Sequence, residues 1–455
     1  MNFFKKGFME EESEIRTVFT RITKRDFSGN TGLVIKNSAY QFSSNIVNKF
    51  GSLIFVIIIA RIVLPETFGL YNLVFSTTMF FYVFSDLGVN QAIIYFSSKT
   101  LHKDKAKAKA YINHLFKIKF FLALISSIVL IALAKIISDS YYNKPIFMAL
   151  IAGSLYLFFT SVQSFYLSLS QSNNNFRNPL IKDVFFQISR IVLIPAILLY
   201  INTLKLDSSS IVLIIFFILG VISLFSMLLI FFLSTKDIKL KGIKTERLNS
   251  LEKRKITKFI IKIALITSSV MLLGNIDKII IGPFVPSEFI GYYSAAFSMV
   301  NASAFLIVFS DVFFPLFLRM KGNRLKRAFE KSVKITFMLS FLLFVFLILF
   351  ATPLIKFIFG ESYLQSISML RMLALLAIFF PLIEIYTSYI ISKGKLEKIT
   401  KLILFIVILS VALPLLFVRL FLNQGYNAAV FGLILGLLAS KAVHLGALIW
   451  ISRKI

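Results

Sequence analysis

Cysteine is absent from the 455 residues, tryptophan occurs once and histidine three times. No disulfide framework, thiolate nucleophile or cysteine-ligated metal can be built from such a chain. Acid is scarce too: 21 Asp and Glu stand against 50 Lys and Arg, a formal charge of +29. The G-x-x-x-x-G-K-[ST] loop that cradles nucleotide phosphates is missing, which excludes ATP hydrolysis by that route. No nucleophile motif or metal-ligand cluster stands out, so an enzyme is not expected and no cofactor is called for. The first residues lack the short apolar core and small-residue cleavage site of a signal peptide, so 1–36 reads as a retained basic leader.

What the chain has in abundance is apolar length. Hydrophobic residues make up 58%, Phe alone numbers 52, and the mean hydropathy is +0.84. A bilayer asks about 20 apolar residues of each helix, because nothing in hydrocarbon satisfies open backbone groups. Twelve such runs are read, at about 37–63, 70–98, 112–137, 146–171, 179–201, 209–234, 257–284, 288–318, 332–356, 366–391, 398–421 and 427–452. The bases fall in alternate gaps, and basic loops stay cytoplasmic. Lys99–Lys109, Lys236–Lys258, Lys393–Lys401 and the Arg453–Lys454 tail mark that side; Pro65–Gly69, Ser138–Lys144, Pro283–Glu288 and Phe359–Gln365 mark the other. An even count puts both termini in the cytoplasm, with the plasma membrane the expected location. The net charge is accounted for by loops facing anionic membrane lipids, so nucleic acid is not expected as a partner.

The longest basic gap divides the chain into a leader (1–36), a first lobe (37–234), a basic linker (235–256) and a second lobe (257–455). The lobes echo one another. Pro65-Glu66-Thr67-Phe68-Gly69-Leu70-Tyr71 recurs with one insertion as Pro286-Ser287-Glu288-Phe289-Ile290-Gly291-Tyr292-Tyr293, and Phe84-Ser85-Asp86 as Phe309-Ser310-Asp311. Six helices per lobe means that both lobes enter the membrane in the same direction. Parallel repeats related by an axis along the membrane normal place binding sites between the halves. The expected fold is therefore an all-α integral membrane protein of about twelve transmembrane helices, in two six-helix lobes around a central cavity.

Ala60-Arg61-Ile62-Val63-Leu64-Pro65-Glu66-Thr67-Phe68-Gly69-Leu70-Tyr71, followed by Ser85-Asp86-Leu87-Gly88-Val89-Asn90-Gln91-Ala92, resembles the opening of polysaccharide and O-antigen flippases. These belong to the multidrug/oligosaccharidyl-lipid/polysaccharide exporter superfamily. Asn275-Ile276-Asp277-Lys278 and Phe359-Gly360-Glu361-Ser362-Tyr363 extend the resemblance into the second lobe. It implies the two-lobed, MATE-like plan and a lipid-linked oligosaccharide as substrate, turned across the membrane by alternating access. Glycan-assembly proteins are the implied partners. A cation-coupled exporter of small molecules shares the twelve-helix plan, and a membrane glycan polymerase or glycosyltransferase is the reading from another class.

Ionisable residues inside the runs are the candidate site. A charge at mid-membrane costs several kcal/mol unless it meets water or a partner. Lys49, Arg190 and Lys441 lie too deep to snorkel, so they are expected to face the cavity or to tie helices together in ion pairs. Arg61, Lys278 and Arg371 lie nearer helix ends, as contacts to phosphate or sugar or as snorkelling residues. Arg grips phosphate through two parallel hydrogen bonds, which favours Arg61 and Arg190 for that task. Asp86, Asp277, Asp311, Glu384 and His444 are candidates to carry a coupling ion, H⁺ or Na⁺, with structural pairing the competing reading. Asp277 and Lys278 are neighbours in sequence, which on a regular helix sets them about 100° apart and predicts no pairing between them.

Overall fold

The computed structural model describes residues 29–101, 103–202, 206–238, 240, 242–305, 317–318 and 320–454. Asp311, with the Phe309–Asp311 echo, and most of the leader lie outside the described residues. The first lobe comprises α1 (Gly29–Ile62), α2 (Pro65–Asp86), α3 (Val89–Thr100), α4 (Lys105–Lys135), α5 (Phe147–Ser172), α6 (Arg177–Asn202) and α7 (Ser208–Ile238). The second comprises α8 (Ser250–Leu272), α9 (Ile276–Ile281), α10 (Ser287–Phe305), α11 (Gly322–Leu349), α12 (Ala351–Ile358), α13 (Ser366–Leu373), α14 (Leu376–Ser392), α15 (Leu396–Phe421) and α16 (Tyr426–Arg453). Joined end to end across short breaks, α2–α3, α8–α9, α11–α12 and α13–α14 each make one crossing, which gives six per lobe.

Ten helices among the described residues are long and apolar enough to cross a membrane. The crossings that fall short are the first two of the second lobe. The opening turns of α8 carry Lys253, Arg254, Lys255, Lys258 and Lys262, all exposed, and the described part of α10 stops at Phe305.

Local chemistry sets the ends. Pro65 opens α2 in its first turn, where its missing N–H costs nothing. The Asp104 carboxylate accepts from Lys107 N at 3.0 Å and starts α4. Asn249 and Glu252 form a reciprocal capping box at the start of α8. The second crossing was expected to be one continuous helix. It breaks instead at Leu87 (φ 41°) and Gly88 (φ 85°), both left-handed, a conformation that glycine adopts freely and leucine only at a cost. The seventh crossing breaks at 273–275, between α8 and α9.

The bundle has a turn face, bearing Pro65 and Ser287, and a basic face, bearing Lys99–Lys109 and Lys393–Lys401. One apolar core joins both lobes toward the turn face, packing Phe68, Tyr71 and Phe216 with Tyr293, Tyr363 and Leu433. Toward the basic face the core divides in two. Val89, Ile93, Phe96, Leu115 and Phe165 form one part, which takes in Ile256 and Ile260 of α8. Leu325, Phe329, Tyr389, Ile406 and Leu448 of the second lobe form the other. The lobes thus share one core at the turn face, whereas toward the basic face each has its own, with α8 of the second lobe seated in that of the first.

The sequence echo is a contact. A Cβ on Gly69 would lie 1.7 Å from Ser287 O, and one on Gly291 would lie 2.1 Å from Pro65 O. Each lobe's glycine receives the other lobe's turn, as expected of two repeats meeting across a common axis.

Candidate functional site

In the first lobe, polar side chains on one face of α1 meet α6. Residues 37, 41, 44, 48 and 52 are spaced by three and four, so they share a helix face. Asn37 Nδ2 donates to Asn174 O at 2.8 Å, beside the start of α6, and Gln41 Nε2 donates to Asn45 Oδ1 at 3.3 Å within α1. Ser44 donates to the carboxylate of Asp183, which also pairs with Lys182. Gln187 Nε2 donates to Asn48 Oδ1 at 3.1 Å. Gly51 makes the close approach of the two helices feasible: a Cβ there would lie 2.7 Å from Gln187 Oε1.

Arg190 ends this ladder near mid-membrane. Its Nε donates to Gln187 Oε1 at 2.7 Å and its Nη2 to Ser52 Oγ at 2.7 Å. The guanidinium lies over Phe55 at 4.7 Å and Phe186 at 5.3 Å, and the residue is only 8% exposed. Among the described residues no carboxylate pairs with it. Its hydrogen-bond partners are neutral, and three of its five N–H groups remain for an anion.

The second lobe gathers its charges where the seventh crossing breaks. Asp277, 4% exposed, accepts on Oδ2 from Tyr293 Oη at 2.5 Å and from Lys278 Nζ at 3.3 Å, while Oδ1 is buried without a partner. The pairing of Asp277 with Lys278 corrects the expectation drawn from regular helix geometry. Both sit in the first turn of the short α9, just after the break, and the lysine stem folds back beside the Tyr293 and Phe297 rings. Lys441 is half-buried near Phe380 and within electrostatic reach of Asp277. His444, one turn further along α16, is 7% exposed and its Nδ1 has no partner.

Other candidates stand apart. Asp86 is 1% exposed and receives Lys119 Nζ at 2.9 Å from a lysine that is 0% exposed. It also accepts from Asn90 N at 3.2 Å, so it caps α3 across the helix break. Arg61 is spent on backbone carbonyls of the second lobe, donating to Ile358 O at 2.7 Å and to Phe357 O. Lys49, Arg371 and Glu384 are exposed on α1, α13 and α14.

Sequence reading missed Lys119, Asp183 and Gln187; it took Lys182 for a basic gap residue and Tyr293 for a ring that could stack on sugar, whereas here Tyr293 donates to Asp277. For Lys119 a signal was present. Lys117 and Lys119 are two residues apart and point to different sides of α4, so one of them had to face protein.

A family of polysaccharide biosynthesis proteins matches residues 58–368. The chain belongs to this polysaccharide biosynthesis family. Over 128 residues the family member is 29% identical to the teichuronic acid biosynthesis protein TuaB of Bacillus subtilis (strain 168), a stretch that is 27% of this chain and 26% of that protein. The chain therefore matches about a quarter of the length of that curated relative. Among solved structures, an inward-facing MATE family transporter of the MOP superfamily aligns with TM-score 0.65 and 17% identity, over 89% of this chain and 95% of that one. The lipid II flippase MurJ in an inward closed conformation aligns with TM-score 0.68 and 16% identity, over 92% and 87%. At such identities these likenesses speak for the fold. This polysaccharide biosynthesis protein has the two-lobed fold of MOP-superfamily transporters.

Proposed function

We propose that the protein flips a polyprenyl-(di)phosphate-linked oligosaccharide from the cytoplasmic to the outer leaflet of the plasma membrane by alternating access. The basic face is then cytoplasmic, and the closed turn face makes this the form that loads substrate. Arg190 carries the reading. A buried guanidinium held by amide and hydroxyl groups, with no acid paired to it among the described residues, is suited to an anionic headgroup. Lys441 in the other lobe adds to the attraction, Lys278 being paired with Asp277, and such a lumen disfavours cationic drugs.

The ladder from Asn37 to Ser52 offers amides and hydroxyls to glycan hydroxyls once the headgroup displaces them. Asp277 and His444 hold buried atoms without partners and are the sites assigned to the coupling ion, H⁺ or Na⁺. Asp86 also has a buried oxygen without a partner, Oδ2, but its Oδ1 is held by the fully buried Lys119 and caps α3 at a helix break, and it is assigned a structural role. Glycan-assembly proteins are the partners that supply and consume the substrate.

Native mass spectrometry of the purified full chain tests the reading. Retained polyprenyl-linked glycan, lost in Arg190→Gln and partly kept in Arg190→Lys, is the expected result. No retained lipid-linked glycan, or retention untouched by Arg190→Gln, would refute it.

A further inference from the structure

The basic face carries a surface that flipping does not explain. At the corner where α4 meets α8, Ile112 and Leu115 pack in one core with Ile256 and Ile260; Lys117 lies one turn after His114 on α4, Lys253 lies one turn before Ile256 on α8, and both lysines are exposed. Neither forms an ion pair among the described residues. The nearby Glu252 is occupied by Lys107 at 2.6 Å.

Below these cations each helix exposes an apolar strip. On α4, Phe121, Ile125 and Ile128 follow Lys117 at offsets of 4, 8 and 11, which is one helix face, and each is more than half exposed. On α8, Ile261 and Leu265 are exposed below Lys258. The buried side of α8, Ile256 and Ile260, belongs to the core of the first lobe. A cationic head above two apolar strips, at the end of the bundle where hydrocarbon gives way to water, has the shape and charge of a phospholipid counterpart.

We propose that the α4–α8 corner is a docking surface for an anionic phospholipid, with its phosphate between Lys117, His114 and Lys253 and its acyl chains along Phe121, Ile125 and Ile128. Because α8 opens the second lobe and packs on the first, a lipid bound there clips the two lobes together on this side of the basic face. This does not depend on which substrate is flipped.

The test uses the full chain in nanodiscs of phosphatidylcholine with a minor share of phosphatidylglycerol, with retained lipid counted by native mass spectrometry and thermal stability followed in parallel. Two surface lysines near an anionic leaflet are together good for about a thirtyfold change in affinity. Lys117→Ala/Lys253→Ala should release the phosphatidylglycerol and its stabilisation while melting like wild type in pure phosphatidylcholine. The control is Lys331→Ala/Lys334→Ala, two exposed bases above exposed Phe337 and Met338 on α11, and it should keep both. Equal loss in the control would reduce the effect to the general field of the face and overturn the proposal. So would stabilisation by inorganic phosphate alone, which marks a free-anion site, or by polyglutamate but not phosphatidylglycerol, which marks an acidic protein partner.

Discussion

Arg61 of the first lobe caps a helix of the second: its guanidinium donates to the carbonyls of Phe357 and Ile358, the last residues of α12. Carbonyls in the last turn of a helix have no partner within it, and they carry the negative end of the helix dipole. A cation from the opposite lobe meets both needs. The residue expected to touch phosphate or sugar is, in this state, part of the latch that shuts the turn face.

Loss of that latch should favour opening. Arg61→Ala removes charge-assisted bonds at an exposed position, good for about 1 kcal/mol, or roughly a fivefold shift in population. Spin labels at the exposed Leu64 and Leu364 should report a larger share of long distances in the variant. An unchanged distance distribution would show that the apolar core alone holds the face closed.

A second latch titrates. Lys144 Nζ donates to Gly282 O at 2.7 Å, just past the end of α9, and burial pushes its pKa from the ordinary 10.5 down to about 8. Opening the turn face returns the amine to water and to its ordinary value. Between pH 8 and 10.5 the closed form therefore binds fewer protons, so raising pH through that window favours closure. Below pH 8 this residue contributes no slope. The same label pair should show closure strengthening from pH 8 to 10 in wild type, and no such trend in Lys144→Met.

Glycine at the crossing of the repeats should be indispensable to the closed form. Gly69→Ala and Gly291→Ala each drive a methyl into backbone of the opposite lobe, which cannot turn aside as a side chain can. Both variants should insert and fold yet hold the turn face open, and transport should stop. Gly446→Ala, with nothing within 4 Å of the added methyl, should behave like wild type.

The Asp86–Lys119 pair makes a stability prediction. Removing one member of a fully buried pair strands the other, at a cost of about 3–5 kcal/mol. Lys119→Met should lower the melting temperature sharply, and Lys119→Met/Asp86→Asn should recover much of the loss. Equal melting of the single and double variants would mean that the two charges do not compensate each other.

Twelve crossings in two lobes were legible because membrane physics writes them plainly, as apolar runs separated by alternating basic gaps. The Pro65 and Pro286 turns were legible as an echo, and their reciprocal contact gives that echo a physical purpose. Breaks inside crossings were not legible. Leu87–Gly88 and Leu273–Asn275 interrupt apolar runs with residues that membrane helices also tolerate unbroken. For the site, Arg190 stood out by depth alone, and Asp277, Lys278, Lys441 and His444 proved to be one cluster. Gln187 and Asp183 read as ordinary polar residues until α1 was packed against α6, since nothing local announces a partner more than 130 positions away. Lys278 beside Asp277 was misjudged because the long lysine stem can fold back on its neighbour, which residue spacing along a helix does not capture.

The central claim is most directly tested by reconstituting the full chain into vesicles loaded on one leaflet with a fluorescent polyprenyl-diphosphate oligosaccharide. Accessibility of the glycan to a membrane-impermeant glycosidase is then followed over time. Transfer to the opposite leaflet with the glycan mass unchanged, abolished by Arg190→Gln and restored in part by Arg190→Lys, is the result predicted. Equal accessibility in protein-free vesicles, or transfer undiminished by Arg190→Gln, would contradict it.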